Sequence, residues 1–410
     1  MRILHTSDWH LGQKLLYFER DEEHRLALDW LLEKLVAERV DVLVVAGDIF
    51  DIGNPPNYAR HTYYRFLSRL LQTPCRHVVI TGGNHDSPTM LNAPRELLEA
   101  LNIRIIGAAT GQLEDELLEL RNTQGQPEAV IAAVPFLRDR DLRTSIAAET
   151  FDEKLQRLRE GIKQHYQQIG ALAEPYRRLN VPILATGHLY AIGAQTEEKQ
   201  NNIYIGDCEN IDAADFPEIF SYVALGHIHR AQTIGDYQHV RYSGSLIPLS
   251  FSETKDDKTV YLLDYEGARL LNISALDVPV FRRLKTITGT LDEVKAKLTR
   301  FAAEHDRPLT PWVEVVVQSD NYLPGLDETL KEFCRPLPLE LVKIRVNRHY
   351  ASLGADEGAP LPDLDELSVD EVFFRRCKIA LEITSEEKET LNKTFQELKE
   401  WMESRQEAAN

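Results

Sequence analysis

Thiol pairs are missing from this sequence. Its four cysteines, Cys75, Cys208, Cys334 and Cys377, stand far apart and form no C-x-x-C pair. That spacing predicts reduced, structural thiols in a cytosolic protein rather than a disulfide framework. No apolar run approaches the length of a membrane span, and no membrane partner is expected. No secretory leader is expected, because Met1 runs straight into a short strand that ends at His5-Thr6-Ser7-Asp8. A G-x-x-x-x-G-K-[ST] loop is absent too, so no nucleotide is expected to bind to this chain itself. Positive charge is also in short supply. The formal net charge is -18, against the basic balance usual for a simple nucleic-acid binder. The deficit is uneven: residues 281–350 hold 12 Lys/Arg against 10 Asp/Glu, whereas 351–410 hold 7 against 15. Bound divalent metals would also offset carboxylates at a site, so charge alone decides little beyond marking 281–350 as the place for a backbone-contacting surface.

What is present is ordinary globular material. The 410 residues, 43% hydrophobic and 27% charged, allow one sizeable core and one or two smaller units. Short apolar runs at 2–6, 41–45, 77–81, 130–133, 183–185 and 222–225 read as strands. Between them Leu28, Leu31, Leu32 and Leu35, and then Tyr63, Phe66, Leu67 and Leu70, recur at helical spacing. Strand and helix in alternation predict a layered α/β domain with a largely buried sheet over residues 1–277. Late strands at 258–264 and 270–275 flank a hairpin turn at Glu266-Gly267.

A smaller α+β unit, 278–350, reads strand (281–287), helix (291–303), strand (312–318), helix (327–334), strand (339–346). Residues 351–367, rich at first in Gly, Ala, Pro and Asp, read as a linker. Residues 368–410 read as a helix-loop-helix tail. Ser368 with Glu371 and Thr384 with Glu387 form two capping boxes, and Leu391, Phe395, Leu398 and Met402 one apolar stripe. That stripe packs either on its own chain or on a partner.

Five segments share one arrangement, an apolar strand, a turn, and then metal-type ligands. They are Asp8-Trp9-His10, Gly47-Asp48, Gly83-Asn84-His85-Asp86, Gly187-His188 and Gly226-His227-Ile228-His229. Ligands gather at strand ends in open α/β sheets, so five such loops can converge on one crevice. Any one motif has an ordinary structural reading as a turn aspartate or a satisfied histidine. Five in series, each after a strand, point to a site. Oxygen and imidazole donors without thiolates suit Mn²⁺, Fe or Zn. Two metals about 3.5–4 Å apart can clamp a phosphoryl group and activate water near neutral pH.

These segments resemble the calcineurin-like metallophosphoesterases. Residues 7–12, 46–51, 82–87, 186–189 and 224–229, with Tyr242-Ser243-Gly244-Ser245 ahead of Ile247-Pro248, are similar to the SbcD branch in particular. The resemblance implies a layered β-sandwich core flanked by helices, a small cap domain that positions DNA, and a helical tail. It implies that Asp8, His10, Asp48 and His229 hold one metal, and Asp48, Asn84, His188 and His227 the other. His85 would contact the scissile phosphate and protonate the leaving oxygen. Further implications are two Mn²⁺ per chain (Mg²⁺ as a substitute) and a homodimer within a heterotetramer with the ATPase subunit SbcC. The activity implied is exonuclease on double-stranded DNA ends and endonuclease on single strands and hairpins, in a cytoplasmic, nucleoid-associated protein serving repair, replication and recombination.

Arg138, Arg140, Arg143, Arg282, Arg283 and Lys285 are candidates for DNA contact, with solvated loop positions as the alternative. The stripe from Tyr63 to Leu70 reads as core, or by the resemblance as dimer contact. Two rival functions stand beside the nuclease: a phosphodiesterase or phosphatase for a small or protein substrate, and a non-catalytic scaffold. The cap and tail count against the first rival, and the complete ligand set against the second.

Overall fold

The computed structural model describes residues 1–142, 150–191, 211–304, 306–319 and 323–347, with Leu391, Thr394 and Phe395 beyond. The chain opens with β1 (Arg2–Thr6), a small hairpin (Lys14–Leu15 with Phe18–Glu19) and helix α1 (Asp21–Ala37). β2 (Val42–Ala46), α2 (Asn57–Leu70), β3 (His77–Thr81) and β4 (Ile103–Ile106) follow. β5 (Leu117–Arg121) pairs with β6 (Pro127–Ala132), and then come α3 (Phe151–Ala173), β7 (Ile183–His188) and β8 (Tyr222–Gly226). β9 (Gln232–Ile234), β10 (Tyr237–Tyr242), β11 (Thr259–Glu266) and β12 (Arg269–Asp277) complete two six-stranded sheets.

The first sheet runs β12-β11-β1-β2-β3-β4, parallel from β1 to β4, with the β11–β12 hairpin antiparallel at one edge. The second runs β9-β10-β8-β7-β6-β5 and is parallel from β10 to β6. Period-two alternation sorts each strand between two cores. Ile3, Val42, Val44 and Val79 meet Ile131, Leu184, Tyr222 and Ala224 between the sheets. Leu4, Leu43, Val45, Val78 and Ile80 instead pack under Leu28, Leu31, Phe66 and Leu67 of α1 and α2. On the far side Leu158, Ile162 and Ile169 of α3 cover Val130, Ala185 and Val223. Thr150 and Glu153 form the capping box that starts α3.

The order of layers is therefore helix, sheet, sheet, helix. The single buried sheet expected from periodicity becomes two, because an apolar run shows that both faces of a strand are covered but not by what. The β-sandwich that the resemblance implied is present.

The smaller unit has β13 (Arg282–Gly289), α4 (Leu291–Ala303), β14 (Leu309–Gln318), α5 (Leu326–Cys334) and β15 (Glu340–Asn347), with β14 central. Thr290 and Glu293 cap α4. Residues 1–317 and 324–346 form one compact unit, so this small sheet sits against the large core. Leu284 and Trp312 pack on Leu15, with Phe18 and Phe251 alongside. Cys75 and Cys334 are buried free thiols, while Cys208 and Cys377 lie outside the described residues. So do the expected linker and tail, apart from Leu391, Thr394 and Phe395. Among the described residues no helix is long and apolar enough to cross a membrane.

Candidate metal centre

Five strand ends deliver the candidate ligands. Asp8 and His10 follow β1, Asp48 follows β2, Asn84 and His85 follow β3, His188 ends β7, and His227 and His229 follow β8. The loops after β1 and β2 continue the strand pairing, with Asp8 N donating to Gly47 O (3.1 Å) and His10 N to Asp48 O (3.0 Å). The candidate ligands themselves tie the two sheets together here. His227 N donates to Asp8 Oδ1 (2.9 Å), and His188 Nδ1 lies 3.0 Å from the Ala46 carbonyl. Two glycines make that approach possible. Gly47 has φ +86°, and a Cβ on it would strike the His188 ring. A Cβ on Gly226 would strike the Ala46 carbonyl.

Asp8 (φ 51°), His10 (46°), Asp48 (50°) and His227 (98°) all hold left-handed backbone without being glycine. Such residues are unfavourable by about 1–3 kcal/mol each and persist only where their surroundings over-determine them. The hydrogen bonds just described supply that constraint.

Asp48 lies at the middle of the cluster. Its Oδ2 is 3.5 Å from His10 Nε2 and 3.2 Å from His188 Nε2, while Oδ1 accepts from His85 N at 3.0 Å. Asn84 Oδ1 is 3.0 Å from His188 Nε2 and 3.1 Å from His227 Nδ1. Asp8, His10 and His229 form one group able to hold a cation, and Asp8, Asp48 and His188 another. These residues fit a divalent metal. His10 Nε2 is buried with no hydrogen-bond partner, an arrangement that is costly unless something else binds it. The donors are carboxylate, amide and imidazole, with no thiolate in either group.

The charges agree with that reading. Burial alone would push His10 and His188 towards neutrality. The Asp51 hydrogen bond with the Asp48 charge at His10, and the Asp48 carboxylate at His188, outweigh it and raise both to about 9. Asp48 is held far below the usual carboxylate range, because His188 and His10 overcome its burial. Burial and the neighbouring His188 push His227 down to about 3. At neutral pH the metal-free site thus keeps protons on His10 and His188, which must leave before either ring can ligate.

One expected result is proton release on Mn²⁺ binding at pH 7.5, with affinity rising as the pH climbs towards 9. Calorimetry in buffers of different ionisation enthalpy measures it, and binding without proton release would refute the assignment. The metal-free fold should respond in the opposite sense. Groups whose pKa rises on folding stabilise fully below about 6.5, and that contribution is lost as pH rises through about 9.

A family model described as calcineurin-like phosphoesterase matches residues 1–231, and one described as type 5 capsule protein repressor C-terminal domain matches 280–379. The SbcD component of the nuclease SbcCD from Escherichia coli (strain K12) is 41% identical over 92% of this chain and 93% of its own length. Its namesake in Rhodobacter capsulatus is 34% identical over 91% and 93% of the two chains. The chain belongs to the SbcD nuclease family of the calcineurin-like phosphoesterases. It is accordingly a metal-dependent hydrolase of phosphodiester bonds, and it binds divalent metal.

Two residues beside the candidate ligands were not assigned from sequence. Asp51 Oδ1 lies 3.1 Å from His10 Nδ1, and its backbone carbonyl is 2.6 Å from His85 Nδ1. Asp86 accepts from Ile49 N (3.1 Å), Phe50 N (2.9 Å) and Gly83 N (2.9 Å), locking the loop after β2 to the loop after β3. Burial and the Asp48 charge raise Asp86 to about 6. Both sit within the segments already marked, at the ends of G-D-I-F-D and G-N-H-D. Only the fold shows which group each one orients.

The candidate DNA contacts fall in different settings. The Arg138 guanidinium lies over the Phe136 ring (6.0 Å), and that ring is edge-on to His188 (6.2 Å), which puts Arg138 beside the site. Arg140 is exposed next to Asp141, and Arg143 lies outside the described residues. Arg283 reaches Glu304 and covers Phe301, while Lys285 is exposed on β13. Arg282 departs from the expectation of a surface contact. It is only 8% exposed, pairs with Glu23 at 3.4 Å and stacks on Trp312 at 4.1 Å. Glu23 is also held by the fully buried Arg20. One buried carboxylate, the Thr310 carbonyl and the Trp312 face hold Arg282 inside the joint, so its charge points inward. Tyr63, Phe66, Leu67 and Leu70 are buried in the core.

Proposed function

We propose that this chain cuts phosphodiester bonds in DNA as the nuclease subunit of a complex with the ATPase SbcC, using two Mn²⁺ ions (or Mg²⁺ in their place). Asp8, His10, Asp48 and His229 hold one ion, and Asp48, Asn84, His188 and His227 the other. The observation that carries this reading is the position of Asp48, whose carboxylate lies within 3.5 Å of imidazoles from both sheets. When bound, divalent metals there stabilise phosphoryl charge and activate water at neutral pH.

The chain's own groups do the rest. Asp48 and Asn84 hold the two halves of the site in register. His85, exposed at the mouth, donates from Nδ1 to the Asp51 carbonyl, which fixes the ring and leaves Nε2 to protonate the leaving oxygen. Arg138, Arg140, Arg283 and Lys285 supply positive charge for the phosphate backbone, while Arg282 secures the cap.

The reading divides the chain into a nuclease domain (1–277), a DNA-positioning cap (278–350), a linker (351–367) and a tail for SbcC (368–410). It includes a homodimer within a heterotetramer, exonuclease action on double-stranded ends, and endonuclease action on single strands and hairpins. Its support is the E. coli relative named for the SbcCD complex, matched over 92% of this chain. The test is Mn²⁺-dependent cleavage of a labelled hairpin duplex, without and with SbcC and ATP. Cleavage abolished by chelator and restored by Mn²⁺ is the expected result. Inactivity on DNA in both arms, alongside turnover of a chromogenic small diester, would overturn it.

A further inference from the structure

Glu253 stands far from every ligand motif, yet its Oε1 lies 3.3 Å from Nδ1 of His229. The other oxygen, Oε2, accepts from the Lys258 ammonium (2.6 Å), from Leu249 N (3.1 Å) and from Ser245 Oγ (3.5 Å). Lys258 in turn donates to the His229 carbonyl (2.9 Å) and to Ser245 Oγ (2.9 Å). Its side chain is 5% exposed and that of Glu253 13%. The pair is therefore a nearly desolvated contact wrapped around the backbone and ring of one residue. Burying an ion pair is a poor way to stabilise a fold, since the desolvation cost rivals the attraction. Its placement here has another use.

We infer that Glu253, clamped by Lys258, is the positioning residue that sets the ring of His229 for metal binding. With Nδ1–H donating to the Glu253 carboxylate, Nε2 keeps its lone pair and the imidazole becomes a stronger donor. Carboxylates placed this way fix the tautomer and orientation of metal-binding histidines, and their loss typically costs about 10–100-fold in metal affinity. Lys258 and Leu249 N hold the carboxylate in place by occupying its second oxygen. Lys258 also forms part of the wall of a cleft of about 740 Å³ between residues 246–258 and β13. A metal ligand is thereby tied to the joint between the large core and the small sheet. The inference rests on the reading of His229 as a ligand.

The experiment titrates Mn²⁺ into metal-free full-length protein, following affinity and stoichiometry by calorimetry and free Mn²⁺ by electron paramagnetic resonance. The variants are Glu253→Gln, Glu253→Asp and His229→Gln. Glu253→Gln should lose about 10–100-fold in affinity at one metal and leave the other unchanged. Glu253→Asp, which keeps the charge, should recover part of that loss. Wild-type affinity in Glu253→Gln beside weakened His229→Gln would overturn the positioning role. Equal weakening at both metals would overturn it as well, since that marks a general loosening of the loop. If His229→Gln binds both metals as wild type does, the ligand assignment itself fails. Should Glu253→Gln not fold, Glu253→Asp decides: loss at one metal supports the inference, and equal loss or none refutes it.

Discussion

Asp48→Ala is expected to lower kcat/KM on hairpin DNA by more than about 10³-fold, beyond the 10²–10³ typical for removing one transition-state donor. The expectation follows from the carboxylate's position. Its Oδ2 lies near both His10 and His188 and its Oδ1 accepts the His85 amide, so one truncation disturbs both proposed metal positions and the proposed acid. Metal stoichiometry should fall together with activity. The metal-free variant should also lose the charge that raises His10 and His188, so both rings become easier to deprotonate. Mn²⁺ titration and single-turnover cleavage measure these effects. A variant that binds two ions normally, or retains a tenth of the wild-type rate, would remove Asp48 from the centre of the mechanism.

His85→Gln should behave differently, losing about 10²–10⁴-fold in kcat with metal affinity and KM nearly unchanged. His85 is exposed, and its Nδ1 contact is to the Asp51 carbonyl rather than to a ligand side chain. Its ring packs edge-on to that of His10 at 4.9 Å, which places it beside the candidate ligands. The diagnostic substrate carries sulfur in place of the leaving oxygen. A thiolate leaves without a proton, so the deficit of His85→Gln should shrink towards wild type on it. An unchanged deficit would assign His85 to orientation of the loop. Parallel losses of metal and rate would make it part of the ligand set.

Much of the site was readable because its parts are local. Gly47-Asp48, Gly83-Asn84-His85 and Gly226-His227 each pair a strand end with a ligand type, and the expected strand at 41–45 is observed as Val42–Ala46. In the small unit the helix expected at 291–303 is α4 itself, where Thr290 and Glu293 satisfy the first amides. Glu253 was not readable. It lies 24 residues from His229 in a stretch without a motif, and no spacing rule connects a carboxylate to a ring across a turn and two strands. Arg282 was misplaced for a related reason. Arg-Arg-Leu-Lys looks like a solvent-facing basic strand, and only the packing of β13 against Glu23 and Trp312 shows which arginine faces inward.

By itself the sequence determined the elements, the ligand types and their order, because helix and strand periodicity, capping and turn chemistry act over a few residues. It also determined the family. The tertiary structure alone decided that the strands divide between two sheets, that Asp48 lies near imidazoles of both, and that Asp51 and Glu253 reach the rings of His10 and His229. Those relations join residues separated by tens to hundreds of positions. Burial, close approach and the surrounding charge set them, and all three exist only once the sheets have packed.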